Sequence, residues 1–272
     1  MKRFFQTIKG SKVYVFSFIF VALLIVISLI APLIPIDPTK TDVTQMSKGP
    51  SLLHLFGTDE VGRDYFIRVL HGGRVSLLVG VLSMITATTI GAIIGMVSGY
   101  FGGIVDTLLM RFLDVLSSIP WLILVIVLSV FLKPGLNTII IVIGCFSWMN
   151  TARLIRAETL SAKEREYVKY AQFIKRSPVA IMKNHIFPFV LPTMLVAATT
   201  SLSNAIMTES ALSFLGMGIQ QPMSSWGSLL QTAQSSLQRA PYMAIIPGVF
   251  IALTIYAMNN LGEALKETLQ EG

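Results

Sequence analysis

Six long apolar runs constrain this chain more than any other feature, at about residues 13–34, 75–98, 104–131, 136–154, 186–207 and 243–261. Each is close to the roughly 20 residues a helix needs to cross a hydrocarbon layer about 30 Å thick. In lipid a chain must satisfy its own backbone hydrogen bonds, and runs of this length do so as helices. The composition agrees, with 53% hydrophobic and only 13% charged residues; a soluble domain carries roughly a quarter charged. The expected fold class is therefore all-α, a polytopic membrane protein with six transmembrane helices.

Lys2, Arg3, Lys9 and Lys12 precede the first run, as they would in a signal peptide. Its apolar stretch is about twice the length of a signal core and no small-x-small cleavage site follows, so it reads as a retained helix. The net charge of +7 does not point to nucleic acid, because the basic residues gather at helix ends. The densest cluster, Arg153, Arg156, Lys163, Arg165, Lys169, Lys175, Arg176 and Lys183, lies around the loop between the fourth and fifth runs. The positive-inside rule puts that loop and the basic N-terminus in the cytoplasm. Six crossings return the C-terminus to the same side, so a multi-pass cell-membrane (inner or plasma membrane) protein with both termini cytoplasmic is expected.

The loop before the second run is broken by Pro32, Pro35, Pro38 and Pro50 and carries Asp37, Asp42, Asp59, Glu60 and Asp64. From Asp59 to Leu70, apolar Val61, Tyr65, Phe66, Val69 and Leu70 recur at helical spacing, which predicts a short amphipathic helix on the outer membrane surface. Asp59 and Arg63, four apart, are expected to form a surface ion pair. Within the second run Gly91, Gly95 and Gly99 line one helix face, for close packing or for a face that slides during gating. In the third, Arg111 and Asp114 are spaced to pair.

In the basic loop, Ser161 and Glu164 have the spacing of a capping box, predicting a helix over about 162–176. Tyr167, Tyr170, Ala171 and Ile174 would share one face. Pro178 after Ser177 reads as a second helix start. The stripe suits either lipid headgroups or a groove on a soluble partner. Other chemistry is missing. There is no G-x-x-x-x-G-K-[ST] phosphate loop, no H-E-x-x-H and no G-x-S-x-G. His54, His71 and His185 are scattered, and the single Cys145 makes neither a disulfide framework nor a thiolate metal site. No enzyme chemistry, cofactor or metal is expected, and any ATP-derived energy must come from another subunit.

The stretch from Glu166 to Pro178, continuing through His185, Ile186 and Pro188, resembles the coupling-loop motif of ABC importer permeases. Gly57-Thr58-Asp59-Glu60-Val61-Gly62-Arg63-Asp64 with Gly73-Arg74-Val75-Ser76-Leu77 is similar to a signature of the dipeptide/oligopeptide/nickel branch. So is the segment Glu209-Ser210-Ala211-Leu212-Ser213-Phe214-Leu215-Gly216-Met217-Gly218, followed by Ser225-Trp226-Gly227. Tyr100 to Gly103 with Asp106, and Asn260 to Gly262, fit as well. The resemblance covers nearly the whole chain and is nearest to the second, C-type, permease subunit. It implies a type I ABC importer permease fold, with a core over 74–262, a cytoplasmic N-terminal tail at 1–12 and a first span at 13–34. An extracytoplasmic loop would span 35–73 and a cytoplasmic tail 263–272, with the coupling loop at about 156–184 and the last outer loop at about 210–241.

It also implies partners: a second homologous permease in a heterodimer, two cytoplasmic P-loop ATPase subunits and an extracytoplasmic solute-binding protein. Glu166, Tyr167, Lys169, Tyr170, Ala171, Ile174, Lys175, Ile186 and Pro188 would couple to the ATPases. Gly57, Thr58, Asp59, Gly62, Arg63, Asp64, Glu209, Ser213, Phe214, Leu215, Gly216 and Trp226 form the outer-face signature. Glu209 would line the outer mouth, contact the binding protein or simply end a helix. The implied substrate is a di- or oligopeptide, with nickel or a metal chelate as the alternative; an ion-coupled secondary transporter is the reading from another class. The chain departs from the family at Lys169-Tyr170-Ala171, usually Glu-Ala-Ala, at Pro188-Phe189, usually Pro-Asn, and at Lys175, usually glycine. Loss of that glycine is expected to alter the turn, with Lys175 extending the first helix toward Ser177.

Overall fold

In the computed structural model, which describes residues 2–270, the regular structure is helical and no β-strand occurs among the described residues. A short helix α1 (Lys2–Gly10) breaks at Ser11 before α2 (Lys12–Ile30), an uninterrupted apolar helix prolonged by the turn Ala31–Leu33. Pro32 is tolerated there, in the first turn, where its missing donor costs nothing.

The next helix corrects the expected surface helix. α3 (Tyr65–Phe101) is one continuous 37-residue rod capped by Asp64, whose carboxylate accepts from the Ile67 amide at 3.0 Å. By the helical rise it spans about 55 Å, far more than the hydrocarbon thickness. Its first turns do not lie on a membrane surface: Tyr65 and Val69 are buried with Leu24, Trp226, Leu229 and Met243. The apolar spacing was helical, but it served the protein core. Gly102 and Gly103, both at positive φ, turn the chain from α3 into α4 (Gly103–Ser118).

The third apolar run is split. Ile119 is held extended by the following Pro120, which separates α4 from α5 (Trp121–Phe131). α6 (Leu136–Phe146) and α7 (Trp148–Lys163) share a single bend at Ser147. Beyond them lie α8 (Glu166–Phe173) and α9 (Pro178–Ile181), then a π-helical turn, Met182–Ile186, that runs directly into α10 (Phe187–Phe214). α11 (Trp226–Ala233) tucks a loop back into the fold, and α12 (Tyr242–Gln270) closes the chain.

Among the described residues five helical stretches are long and apolar enough to cross a membrane, Lys12–Leu33, Tyr65–Phe101, Leu136–Lys163, Pro178–Phe214 and Tyr242–Leu269, where six runs were expected; the third run, split into α4 and α5, is not among them. α3 is the hub, packed on α7 and α10, while α12 bridges α10 to α2. The segment expected as a C-terminal tail is helical through Gln270 and packs on the N-terminus: Tyr14 donates to Glu267 at 2.8 Å and Thr268 to Thr7 at 3.1 Å.

The α3–α7 contact depends on missing side chains. A Cβ at Gly91 would lie 2.7 Å from Thr151 Cβ, one at Gly95 2.6 Å from the Ala152 carbonyl, and one at Gly99 2.7 Å from Thr159 Cβ. Small residues at this spacing let two backbones approach, so that dispersion contacts accumulate without lipid between them.

Candidate functional site

Helix α7 does not end where the capping box predicted. Ser161 and Glu164 are in its last turn, Glu164 being its C-terminal cap, because buried Ile155, Thr159 and Ala162 keep the helix packed through that point. Tertiary burial overrides the local capping preference. The chain turns extended at Arg165, and α8 starts at Glu166 rather than at 162. Lys169 reaches back to Glu164 at 2.8 Å, and that hydrogen bond holds the Glu164 carboxyl below its ordinary pKa.

At 100° per residue α8 presents two faces. Val168 and Ala171 point inward, buried with Tyr100, Ile155, Ala162, Ile181, Ile186 and Val190. Tyr167, Tyr170, Phe173 and Ile174 are exposed, Phe173 at 83%. Ala171 and Ile186 therefore anchor the segment, whereas Tyr167, Tyr170 and Ile174 form its free surface together with Phe173. Phe173, three residues from Tyr170 on the same side, joins this surface although the helical stripe of Tyr167, Tyr170, Ala171 and Ile174 does not include it. Glu166, Lys169, Lys175 and Pro188 are also exposed.

The turn after α8 keeps the geometry of a glycine turn. The Arg176 amide donates to the Ala171 carbonyl at 3.1 Å and the Lys175 amide to that of Gln172 at 2.9 Å, the paired bonds of a Schellman motif. Lys175 takes the left-handed position itself, at φ +54°. It neither extends α8 nor changes the turn. Ser177 caps α9, accepting from the Ala180 amide at 3.3 Å.

A cleft of about 840 Å³ opens between α4–α5, α6–α7 and α10. Along α10 it exposes Thr193, Val196, Ala197, Thr200, Ser201, Asn204 and Thr208. Their spacing is one helix face, about 22 Å long by the helical rise. Across the cleft stand Ser117, Trp121, Ser147, Asn150, Thr151 and Arg153, with Lys266 from α12. Ile119 and Pro120, at the break in the third run, also line it, so that break shapes the opening. Sequence reasoning missed this surface, though hydroxyl and amide residues at i, i+7, i+8, i+11 and i+15 from Thr193 fall on one helix face.

The charges near the cleft are paired across helices. Arg111 and Asp114 are not the pair; Asp114 bonds Arg153 at 3.1 Å, and Arg156 grips Asp106 with Nε and Nη2 at 2.5 and 2.6 Å. Ser98 adds a short bond to Asp106.

At the opposite end of the bundle the signature residues form a buried polar knot. Asp59 and Arg63 do pair, at 2.6 Å, but beneath the surface: Asp59 is 3% exposed and also accepts from Arg68 at 2.8 Å. Its other carboxylate oxygen accepts from the amides of Val61 and Arg63. Gly57 and Gly62 have positive φ, and a Cβ on Gly62 would overlap the Asp42 carbonyl. Thr58 is fully buried, and its hydroxyl donates to the Gln45 carbonyl. Glu209, fully buried, accepts from Ser76 at 2.9 Å and Ser213 at 2.7 Å; Ser76 accepts in turn from the Trp226 amide at 3.2 Å. These bonds tie the α10–α12 loop onto α3. Phe214 and Leu215 are exposed there, and Gly216, at φ +81°, turns the chain out of α10.

Comparison with known proteins follows the same outline. Residues 87–270 match the family described as the binding-protein-dependent transport system inner membrane component, and residues 1–50 match the N-terminal TM domain of oligopeptide transport permease C. The chain is 40% identical to the oligopeptide transport system permease protein OppC of Haemophilus influenzae, over 98% of this chain and 86% of that one. It is 36% identical to the dipeptide transport system permease protein DppC of Bacillus subtilis, over 97% and 83%. To the glutathione transport system permease protein GsiD of Pectobacterium atrosepticum it is 35% identical, over 98% and 90%. Among solved structures, a chain of the MetNI methionine ABC transporter in an inward-facing conformation shares the fold, with a TM-score of 0.59 at 16% identity, over 74% of this chain and 97% of that one.

Proposed function

We propose that this chain, which belongs to the family of binding-protein-dependent transport system inner membrane components, forms half of the translocation pathway of an ATP-driven importer of di- or oligopeptides. It is a transport subunit of the inner membrane rather than an enzyme. The observation that carries the peptide reading is the cleft, whose wall of hydroxyl and amide side chains suits a substrate made of amide bonds. It opens on one side of the chain, so a second, homologous permease would supply the facing wall.

The basic segment is the link to the motor. Its exposed Tyr167, Tyr170, Phe173 and Ile174 suit a groove on one of two cytoplasmic P-loop ATPases, the second permease docking on the other. Val168 and Ala171 bury α8 against α7 and the start of α10, the helices that line the cleft. A push on α8 therefore moves the cleft walls directly, which is the mechanical requirement of alternating access. Helix α1 and the end of α12, in contact through Thr7 and Thr268, would both lie on that cytoplasmic side. The opposite end, with the signature knot, would receive the solute-binding protein.

Nickel import is the weaker reading: the cleft holds no His, Cys, Asp or Glu, and no metal-competent group of three such residues occurs among the described residues. An ion-coupled carrier would want a carboxylate in the same place. The test is uptake by proteoliposomes holding the chain with its second permease, both ATPases and the binding protein. Peptide accumulation that requires internal ATP is expected; accumulation driven by an ion gradient without ATP would overturn the reading.

A further inference from the structure

Two arginines one turn apart on α7 face α4, and they are held very differently. Arg156 grips Asp106 through two bonds, Nε at 2.5 Å and Nη2 at 2.6 Å, with the aspartate side chain 18% exposed. That is the saturated fork of a structural pair. Arg153 touches Asp114 through Nη2 alone at 3.1 Å, and the same nitrogen donates to Ser117 at 3.2 Å. Its side chain is 45% exposed and that of Asp114 is 55% exposed. An exposed, single-bonded ion pair is worth little and exchanges readily.

Arg153 lines the cleft; Arg156 does not. It stands about 15 Å along the axis from the basic end of α7, where a charge facing a cavity carries a functional presumption. The cleft's charged lining is Arg153 and Lys266, with no carboxylate among the lining residues. Both bidentate edges of a guanidinium include Nη2, the nitrogen now divided between Asp114 and Ser117. A carboxylate arriving from the cleft could displace either partner and complete a two-bond fork.

We propose that Arg153 is the carboxylate-recognition point of this half of the pathway, taking the C-terminal carboxylate of a passing peptide in exchange for Asp114. The inference rests on the peptide-import reading above. A free C-terminus is the one anion shared by peptides of every sequence, so such a contact recognises peptides without reading their side chains. The weak Asp114 bond keeps Arg153 positioned while the cleft is empty and lets the substrate leave, because Asp114 returns.

The experiment compares a peptide bearing a free C-terminus with the same peptide amidated, in uptake by proteoliposomes of the complete transporter. The quantity read is the ratio of free-acid to amide uptake, in wild type, Arg153→Gln and Asp114→Asn. The binding protein's own preference is common to all three and cancels when ratios are compared. Arg153→Gln is expected to reduce the ratio roughly ten-fold relative to wild type, the worth of a charge-assisted hydrogen bond. Asp114→Asn, which removes the competitor and keeps the receptor, is expected to raise it. A merely structural pair would lower uptake of both peptides together and leave the ratio unchanged in both variants, and that result would overturn the inference. If Arg153→Gln does not assemble, the Asp114→Asn ratio decides alone. Wild-type transporter that moves neither peptide under ATP would instead reject the peptide-import reading itself.

Discussion

Lys175 sits at φ +54°, a conformation that costs a residue with a Cβ about 1 kcal/mol more than glycine. The Schellman bonds on either side of it hold the turn in spite of that cost. Lys175→Gly is therefore expected to stabilise the protein by roughly 0.5–1 kcal/mol, read as a small rise in Tm of the detergent-solubilised chain. Asp59 is the opposite case, a single carboxylate that answers two buried guanidinium groups and two backbone amides. Asp59→Asn removes the charge and leaves Arg63 and Arg68 uncompensated, at an expected cost of about 3–5 kcal/mol. Thermal unfolding checks this, and a substitution of exposed Asp37 under the same conditions should change Tm little.

Among the elements, α3 and α7 are joined most intimately, through the glycines at 91, 95 and 99. At Gly95 the obstacle to a side chain is backbone, the Ala152 carbonyl and the Arg156 amide, and backbone cannot rotate aside. Gly95→Ala is expected to destabilise the chain by about 1–3 kcal/mol by forcing the helices apart. Gly248→Ala, in α12, is the control: its nearest neighbour is Leu230 Cδ2 at 4.0 Å, and helix propensity alone should make that change neutral or mildly stabilising. Equal losses of Tm in the two variants would refute the close-packing account. The periodicity of the glycines was legible in the sequence because a helix repeats. Their partner α7 was not, since nothing local says which neighbour meets that face.

For the whole molecule, the chief consequence of the fold is a cleft with hydroxyl and amide side chains along its α10 wall. Single cysteines introduced at Thr200, Asn204 and Thr208 are expected to react with a water-soluble thiol reagent in the membrane-embedded transporter. Cysteines at Leu202, Ala205 and Ile206, buried on the other side of α10, should react at least ten-fold more slowly, since a buried thiol is neither accessible nor readily ionised. Cys145→Ser is the background for that measurement. Uniform labelling along α10 would rule out the cleft as an aqueous path.

Length, period and charge count can be read along the chain, and whatever depends on them was legible there. The apolar runs had to be helices in lipid, the basic loop had to mark one end of the bundle, and the signature residues marked the other. Tertiary structure alone decided which face of each helix met what. It carried α7 through Ser161 and Glu164 because Ala162 had a core to enter, and it drew the amphipathic turns from Tyr65 to Leu70 inward against Trp226. It buried the Asp59–Arg63 pair and matched Asp114 with Arg153 rather than with Arg111. It also set the hydroxyl stripe of α10 facing a cleft instead of a neighbouring helix. The physical reason is common to all of these. Backbone hydrogen bonding and transfer to lipid are local and can be summed along a chain, whereas burial and ion pairing are set by residues far apart in it.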